Sequence, residues 1–323
     1  MKTFLYSLLR WALAPIARYV EANFCLGVTG TSNFGELLWP GIRTLWGHRY
    51  DQWRPLYTQW ATMTTSDKAF EKYQGVTSLG LAAQKPQGKS VSFADPLMGF
   101  QALVTNVSYA LATSVTREMN DDDQYGYIRR LPSMLADAMR KTEETVMHNV
   151  LNNGFSSQLA ADGVALFSTS HVTMDGDTTF ANTPAVAADL TQTALENAEI
   201  TIGNFKDERG QPAQFMGRML VVPVDQMFTA DKILDTKYEV DTANNTVNPI
   251  QGKYRRLVSP YITDTDSWFL ITDAEEGLIF QRRTAAEMAK DGEFTTLNMR
   301  FSCFTRFGVA SINPRCAYAS PGA

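Results

Sequence analysis

Residues 103–126, LVTNVSYALATSVTREMNDDDQYG, decide the fold because an alternating pattern of large and small residues leads directly into an acidic triplet and a long helical pattern. The larger side chains occupy the odd positions from Leu103 to Val115. This period of two predicts a single strand with one buried face. At ~3.4 Å per residue the strand would extend roughly 44 Å, about twice the length of a common strand. We therefore expect an arm that reaches beyond its own domain.

The helical pattern after the acidic triplet predicts one long helix over residues 124–153. The positions expected to face the core are Ile128, Leu131, Leu135, Ala138, Thr142, Thr145 and Asn149. Some thirty residues at ~1.5 Å each make a helix of about 45 Å. Pro132 is expected either to kink this helix or to mark its first turn, and Gly154 is expected to supply a left-handed cap.

The other segments predict short helices and strands around a buried core. Helices are expected over 189–202, where Asp189 would be the N-cap, and over 225–234. Strands are expected over 76–83, 90–93, 219–222, 254–258, 268–272, 278–281, 297–303 and 315–319, with a turn over 84–89. With 323 residues and 44% hydrophobic content, the chain is long and apolar enough to bury a sizeable core.

The charge of the chain is uneven along its length. Six Lys/Arg against three Asp/Glu give +3 in residues 1–64, and 23 against 31 give −8 in the remainder. Because binding to phosphates depends on Lys and Arg, this acidic body predicts at most weak, non-specific contact with nucleic acid. The three cysteines have neither zinc-site nor disulfide-framework spacing, which favours a reducing compartment.

Aromatic residues recur at helical spacing near the N-terminus, at Trp46, Tyr50, Trp53, Tyr57 and Trp60. They predict one face of a helix, which Pro55 would bend or start anew. The stripe is either part of the core, the commoner case, or a docking surface for another chain, where Trp and Tyr concentrate. Residues 1–20 predict an amphipathic arm helix rather than a signal peptide, since Arg10 interrupts their apolar stretch. No run reaches the length of a membrane span.

The acidic triplet Asp121, Asp122 and Asp123 has two interpretations. Carboxylate oxygens bind Mg²⁺ and Ca²⁺, which makes the triplet a candidate site for a hard cation. Consecutive side chains diverge, however, and the alternating Asp/Asn spacing of a calcium loop is missing. Acidic groups ahead of a helix cap its free N–H groups and favour its dipole. We therefore expect a cap for the long helix and no metal site.

The segment LFSTSH over 166–171 brings Ser168, Ser170 and His171 together. A nucleophile and its base are seldom adjacent in sequence, and the G-x-S-x-G elbow of hydrolases is missing. We therefore expect no catalytic residue and no cofactor. The alternative function is a hydrolase or metal-dependent enzyme that uses Asp121–Asp123 or Ser170 with His171.

Four segments carry a resemblance to a known family: residues 115–155, 162–171, 217–234 and 259–270. They read VTREMNDDDQYGYIRRLPSMLADAMRKTEETVMHNVLNNGF, DGVALFSTSH, GRMLVVPVDQMFTADKIL and SPYITDTDSWFL. In these segments and their order, the chain resembles the major capsid proteins of tailed bacteriophages with the Hong Kong-97-type fold, and especially the Mu-like major head subunits. The resemblance spans most of residues 65–323.

The resemblance implies an α+β fold with four regions. These are an N-terminal arm over 1–64, an extended β-hairpin loop over 65–118, a peripheral domain over 119–188 and 281–323 with a spine helix at about 124–153, and an axial domain over 189–280. The strand before the acidic triplet then becomes the return strand of the extended loop. The predicted intersubunit contacts are Trp46, Trp53, Trp60, Val107, Tyr109 and Leu111.

The resemblance also implies a structural function. Many copies would assemble through hexamers and pentamers into the icosahedral head shell that encloses double-stranded DNA. Further expected partners are the portal protein and a separate scaffolding protein, a decoration protein is an additional candidate, and no membrane partner is expected. The expected location is the virion, after assembly in the cytoplasm of the bacterial host.

Overall fold

The computed structural model describes residues 31–77, 79–96, 98–122, 126, 128–174, 178–238, 246–275, 277–293, 295–296 and 298–323. Its helices are α1 (Thr31–Gln52), α2 (Arg117–Asp121), α3 (Leu131–Asn152), α4 (Gln192–Gly203) and α5 (Met227–Asp235). Its strands are β1 (Thr62–Thr65), β2 (Phe70–Val76), β3 (Met98–Thr105), β4 (Val107–Val115), β5 (His171–Val172), β6 (Thr179–Phe180), β7 (Gly217–Val222), β8 (Arg255–Val258), β9 (Trp268–Thr272), β10 (Leu278–Gly292), β11 (Met299–Ser311) and β12 (Ala317–Ser320). The arm helix expected over residues 1–20 lies outside these ranges. Within them, no helix has the length and hydropathy to cross a membrane.

The first sheet has the strand order β1-β10-β11-β4. Strands β10 and β11 form a long antiparallel hairpin, β4 pairs antiparallel with β11, and β1 pairs parallel with β10. Helix α3 packs on this sheet because the apolar side chains Leu135 and Met139 meet Phe301 and Cys303 of β11. Helix α1 packs in turn along α3. The long hairpin and the long helix thus support each other.

The second sheet has the order β12-β9-β7-β8, and its strands β12, β9 and β7 are buried on both faces. Met219 and Val221 of β7 join the core that contains α3, whereas Leu220 and Val222 join a second core under α4 and α5. Continuous apolar runs are typical of a strand covered on both sides. Thr191, and not the expected Asp189, caps α4 by accepting a hydrogen bond from the Ala194 N–H at 3.1 Å.

The long helix is shorter than predicted. Helix α3 begins at Leu131 with Pro132 in its first turn, and a 3-10 turn over Ile128–Arg130 precedes it. The expectation of a left-handed Gly154 is wrong, because Asn153 ends the helix and Gly154 keeps a negative φ. A Cβ at Gly154 would lie 2.5 Å from the ring of Phe167. Close packing, and not a left-handed turn, therefore requires glycine here.

The predicted single strand over 103–115 is divided into β3 and β4 at Asn106. The buried side chains of β3 are Ala102 and Val104, which occupy even positions. In β4 the less exposed side chains occupy odd positions, up to the buried Val115 at its end. The prediction of one buried face was therefore wrong for β3, where Leu103 is exposed. The break separates a strand that projects with β2 from a strand that belongs to the first sheet.

Strands β2 and β3 form an antiparallel hairpin whose connection has no regular secondary structure in the described residues. The strands expected over 76–83 and 90–93 are not formed beyond the end of β2 at Val76. The turn expected over 84–89 is confirmed, since the Lys89 N–H donates to the Pro86 carbonyl at 3.2 Å and Gly88 has a φ of 78°. Flexible turn residues thus fill the end of the hairpin.

Candidate intersubunit surface

The end of the β2–β3 hairpin exposes apolar side chains that nothing in the subunit covers. We call residues 79–96 the hairpin tip, and every one of them is exposed. The large apolar side chains of the tip are Leu79, Leu81, Val91 and Phe93, and Val76 and Met98 flank it. Phe93 is 96% exposed. Several large apolar side chains exposed in one short segment are typical of a site that another molecule covers.

The base of the hairpin is held by a buried polar network around Asn106, which is 3% exposed. The Asn106 side-chain amide donates to the Lys68 carbonyl at 2.8 Å, and its Oδ1 accepts from Nε2 of Gln281 at 3.0 Å. The Tyr73 hydroxyl donates to Oε1 of Gln281 at 3.1 Å. Both strands of the hairpin are therefore tied to β10 at their roots. Such buried networks specify one geometry because an unpaired member is costly.

Two glycines allow close approaches along the hairpin, one at its base and one at the tip end of β3. A Cβ at Gly308 in β11 would lie 2.7 Å from the carbonyl oxygen of Thr105. Gly99 in β3 would place a Cβ only 1.7 Å from the sulfur of Met174. Farther along, the Arg209 guanidinium donates to the Asp95 carbonyl at 2.7 Å. The hairpin is thus anchored at its root and at one point near its tip.

Strand β4 offers a second exposed apolar surface at the edge of the first sheet. Val107 and Leu111 are 48% and 46% exposed. Tyr109, which lies between them on the same face, stacks on Phe307 with ring centroids 4.6 Å apart and is half-buried. Of the three predicted contacts in β4, Val107 and Leu111 therefore have surface free for a neighbour. Tyr109 serves mainly the core of its own subunit.

We expect Val107→Asp to leave the subunit folded and to weaken assembly, because the new charge would have to be buried in an apolar contact. Circular dichroism and sedimentation of the purified variant measure the two effects. Ser108→Asp is the matched control, since Ser108 is an exposed neighbour that points to the other face of the strand. Unchanged particle yield from Val107→Asp would show that this face stays in water. Tyr109→Asp, by contrast, is expected to destabilise the subunit itself.

The aromatic stripe divides between a helix and a turn. Helix α1 ends at Gln52. Its residues Trp46 and Tyr50 pack against α3, and their two rings stack on each other with centroids 5.2 Å apart. Beyond Pro55, Tyr57 and Trp60 enter the core that contains Met147 and Leu151 of α3. Trp46 and Trp60 are each 8% exposed, so their burial within the subunit agrees with the core interpretation. Trp53 is half-buried, and the contact of these tryptophans with a neighbour stays a prediction.

A buried charge cluster joins α3 to the segment after α1. The Glu143 carboxylate accepts from the hydroxyls of Tyr50 and Tyr57 at 2.7 and 3.1 Å. It also pairs with the guanidinium groups of Arg140 and Arg282 at 3.0 and 3.4 Å. Glu143 itself is fully buried. Four donor groups thus compensate the buried charge of Glu143. The sequence pattern gave no indication that a glutamate would lie on the inner face of the helix.

Glu144 and His148 lie one turn apart next to this cluster and are fully buried. One carboxylate oxygen of Glu144 accepts from the Leu56 N–H, and Nδ1 of His148 lies 3.4 Å from the other. Burial raises the pKa of Glu144 to about 7, although the backbone N–H groups of Leu56 and Tyr57 oppose the effect. Burial lowers the pKa of His148 to about 4. The neutral forms of both groups therefore suit this site.

Glu144→Gln should stabilise the subunit at alkaline pH. Folding raises the pKa of Glu144 from the ordinary 4.5 to about 7, so the wild type loses stability as the pH rises from about 4.5 to about 7, and the loss is complete above that range. Glutamine keeps an acceptor for the Leu56 N–H and does not ionise. We expect the variant to exceed the wild type by roughly 1–3 kcal/mol at pH 8, with the difference vanishing towards pH 4.5. Urea unfolding of dissociated subunits measures it, and a difference independent of pH would contradict the assignment.

The residues of the enzymatic alternative are not arranged as a catalytic pair. Both ring nitrogens of the buried His171 are engaged, Nδ1 with Asp162 Oδ2 at 2.6 Å and Nε2 with the Leu166 carbonyl at 3.1 Å. The Ser170 hydroxyl instead lies 3.3 Å from that of Ser168. The His171 ring therefore holds the preceding loop through Asp162 and Leu166, and it does not activate Ser170.

The acidic triplet does not cap the long helix as expected. Asp121 ends the short helix α2, and the backbone N–H of Asp122 donates to the Glu118 carbonyl at 2.9 Å. Thr116 is the residue that caps α2. Arg130 occupies the N-cap position of α3 without a side-chain hydrogen bond. Asp123 lies outside the described residues, among which no group of side chains is suited to hold a metal ion.

A comparison of sequence families identifies the class of protein. The family model described as phage capsid protein matches residues 101–320. This range covers β4, α3 and both sheets apart from β1. The chain therefore belongs to the phage capsid protein family, and it is a structural protein of the capsid shell. No protein in the curated collection of sequences matches the chain.

Solved structures of capsids share the fold. The capsid of bacteriophage JBD30, decorated with minor capsid protein trimers, has a TM-score of 0.54 at 15% identity, over 65% of this chain and 92% of that one. The capsid of a native GTA particle has a TM-score of 0.52 at 14% identity, over 82% and 89%. A virus-like particle from Pyrococcus furiosus has a TM-score of 0.51 at 11% identity, over 87% and 98%. At these identities the likeness establishes a mixed α/β capsid fold.

The family places the chain in the capsid of a phage, as a component of the virion. This role agrees with the two uncovered apolar surfaces at the hairpin tip and on β4. Sequence patterning identified the β4 residues but missed the tip, because it assigned the apolar side chains of the tip to the strands expected over 76–83 and 90–93. The signal that could have found the tip is Phe93 beside Val91 in a segment without helical spacing.

Proposed function

We propose that many copies of this chain assemble through hexamers and pentamers into the icosahedral head of a tailed phage, around double-stranded DNA, with a Hong Kong-97-type fold nearest to the Mu-like subunits. The observation that carries the proposal is the hairpin tip. A folded subunit that leaves Leu81 and Phe93 81% and 96% exposed has apolar surface that only another molecule can bury. The chain belongs to a family of capsid proteins, so the covering molecule is another copy.

Four regions follow from this proposal. The extended loop over 65–118 contains the β2–β3 hairpin with its tip, the peripheral domain over 119–188 and 281–323 contains α3 and most of β10 and β11, and the axial domain over 189–280 contains α4, α5, β7, β8 and β9. The N-terminal arm is expected to reach a neighbouring copy through residues before Trp46. The part of residues 1–64 from Trp46 onwards packs in its own subunit, and β1 pairs with β10 there.

Burial of the tip supplies the free energy of assembly. Each large apolar side chain that a neighbour covers contributes roughly 1.5–3 kcal/mol. Association costs translational and rotational freedom, so one contact alone gives weak binding. The same contact recurs at every copy in a closed shell. Weak contacts between rigid subunits therefore become a stable particle.

Further partners follow from the proposed shell. The portal protein would occupy one vertex, a separate scaffolding protein would guide assembly, and a decoration protein would bind the outer surface. DNA would contact the inner surface weakly and without sequence preference, because the net charge of the chain is −5. The particle would be assembled in the cytoplasm of the bacterial host.

Expression of the chain and electron microscopy of the purified product test the proposal. Closed shells, or rings of five and six copies that convert to shells, are the expected result. Co-expression with scaffolding and portal proteins of a related phage is the second arm, for the case in which the chain alone stays in rings. A stable monomer in both arms would overturn the proposal. Hydrolase turnover that Ser170→Ala or His171→Asn abolishes would support the enzymatic alternative instead.

A further inference from the structure

Two separate charged surfaces of opposite sign adjoin the second sheet, one beside the edge strand β8 and one at the end where β7 and β12 finish and β9 begins. Next to β8 lies a cleft of about 460 Å³, which we call the basic cleft. Arg54, Arg140 and Arg255 line it, together with a single acidic side chain, Asp51. It lies where the segment after α1, helix α3 and strand β8 meet.

The basic cleft holds guanidinium groups without an acidic partner. The Arg140 guanidinium donates hydrogen bonds to the Glu143 carboxylate and to the Tyr50 carbonyl, at 3.0 Å each. Arg54 and Arg255 are exposed and form no ion pair with any residue that the structure describes. The neighbouring cations differ in this respect, since Arg256 pairs with Asp231 and Lys253 with Glu199. Two guanidinium groups without an acidic partner thus line the same cleft.

An acidic surface lies at one end of the sheet, where β7 and β12 end and β9 begins. Asp189, Asp225 and Asp266 line a pocket of about 320 Å³ between the turn before β9, the start of α5 and the chain after β12. None of the three forms an ion pair within the described ranges. The Asp189 carboxylate accepts only the N–H of Ala323, at 2.9 Å. We call this surface the acidic rim.

We propose that the basic cleft of one copy receives the acidic rim of the next copy, in a head-to-tail contact that closes rings around the capsomer axis. This inference rests on the proposed function. Two different surfaces of one subunit give a heterologous contact, which forms a ring when the rotation between copies closes. Opposite charge fits the two surfaces to each other and rejects the wrong pairings of cleft with cleft or rim with rim.

A second copy is a better occupant of the cleft than DNA. Tight binding to phosphates requires many Lys and Arg side chains, and the cleft offers two without a partner. The acidic rim has three carboxylates that would repel phosphate and attract a guanidinium group. Exposed ion pairs are individually weak and are screened by salt. The contact therefore orients the copies, while the hairpin tip supplies most of the binding.

Charge reversal tests the contact. The paired substitution Arg54→Glu with Arg255→Glu should raise the subunit concentration needed for half-maximal assembly by roughly tenfold or more at low salt. Asp225→Lys with Asp266→Lys should have the same effect. The chain that carries all four substitutions should assemble again, because cleft and rim have exchanged sign. Lys141→Glu with Lys232→Glu, at exposed positions elsewhere, is the control for net charge and should change little.

Mixing the two reversed variants gives a sharper readout. A ring that alternates a copy with reversed cleft and a copy with reversed rim has complementary charge at every contact only if the number of copies is even. The mixture should therefore form hexamers and no pentamers, as counted by native mass spectrometry or electron microscopy. Pentamers in the mixture at wild-type abundance would overturn the head-to-tail pairing.

The outcomes separate this inference from the proposed function. If the wild type does not assemble, the proposed function fails. If the wild type assembles and the reversed variants assemble equally well, the charged contact fails alone. Normal assembly of the Arg54→Glu with Arg255→Glu variant, together with reduced retention of DNA, would assign the cleft to DNA and overturn the inference. Should a Glu variant unfold, the Arg54→Gln with Arg255→Gln pair gives the same test with a smaller shift.

Discussion

A subunit with Leu81→Asp and Phe93→Asp is expected to fold normally and to form no particles. Both side chains are exposed in the hairpin tip, and no described contact within the subunit depends on them. Their replacement therefore removes nothing from the cores under the two sheets. In the shell each aspartate would have to be buried without a partner, a cost that recurs at every copy. Sedimentation and electron microscopy measure particle yield, and thermal unfolding measures the fold.

The control for this experiment is Gln84→Asp with Gln87→Asp, which adds the same charge at polar positions of the same tip. We expect these subunits to assemble. Loss of assembly in the control as well would assign the effect to net charge and not to apolar burial. Normal shells from Leu81→Asp with Phe93→Asp would remove the hairpin tip as the source of assembly energy.

Glu143→Ala is expected to have the largest effect on the stability of the subunit. The substitution leaves the hydroxyls of Tyr50 and Tyr57 without their acceptor and leaves Arg140 without its buried counter-charge. Removal of one member of a buried ion pair costs about 3–5 kcal/mol, because the remaining charge stays buried. We expect a loss of this order in urea unfolding of dissociated subunits. The segment after α1 should also detach from α3, which limited proteolysis would detect.

The matched control is Thr145→Ala, at an exposed position on the same helix. It should change stability by no more than about 0.5 kcal/mol, as is usual for a surface position. A loss below about 1 kcal/mol for Glu143→Ala would mean that water replaces the carboxylate, and that the cluster is not a closed network.

Much of the secondary structure followed from local patterns. The strand expected over 268–272 is β9, and those expected over 219–222 and 254–258 correspond to β7 and β8. The alternation that included Phe301 and Cys303 was also confirmed, since both are fully buried in β11. These segments are apolar runs between clear turn residues, so burial and periodicity agree. Patterns of this kind predict structure because neighbours along the chain suffice to define them.

The inner face of α3 was predicted incorrectly, for a physical reason. The prediction continued the stripe through Thr145 and Asn149, which are exposed, and passed over Glu143 and His148, which are fully buried. Hydrophobic periodicity assumes that charged side chains face water. Here Tyr50 and Arg282, distant in the sequence, satisfy the buried Glu143. A single sequence contains no local signal for such a partner.

The candidate surface was predicted only in part for the same reason. Val107 and Leu111 were identified from alternation, but the division at Asn106 depends on Gln281, which is 175 residues away. This contact reverses the buried face between β3 and β4 and directs the hairpin away from the first sheet. Long-range hydrogen bonds, and not strand propensity, therefore determine where the projecting part begins.

The complete exposure of the hairpin tip has a consequence for genetics. Residues 79–96 add nothing to the cores of the subunit, so core packing does not constrain their apolar side chains. A cell that makes a tip variant together with the normal chain would contain two folded subunits that compete for the same growing lattice. Each variant copy in the lattice would disrupt the contacts of the adjacent copies. A minority of variant chains would therefore lower the phage titre by more than the fraction of variant chains. Alleles of the tip are therefore expected to be dominant-negative, whereas alleles of the buried charge cluster, which remove the chain by unfolding, are expected to be recessive.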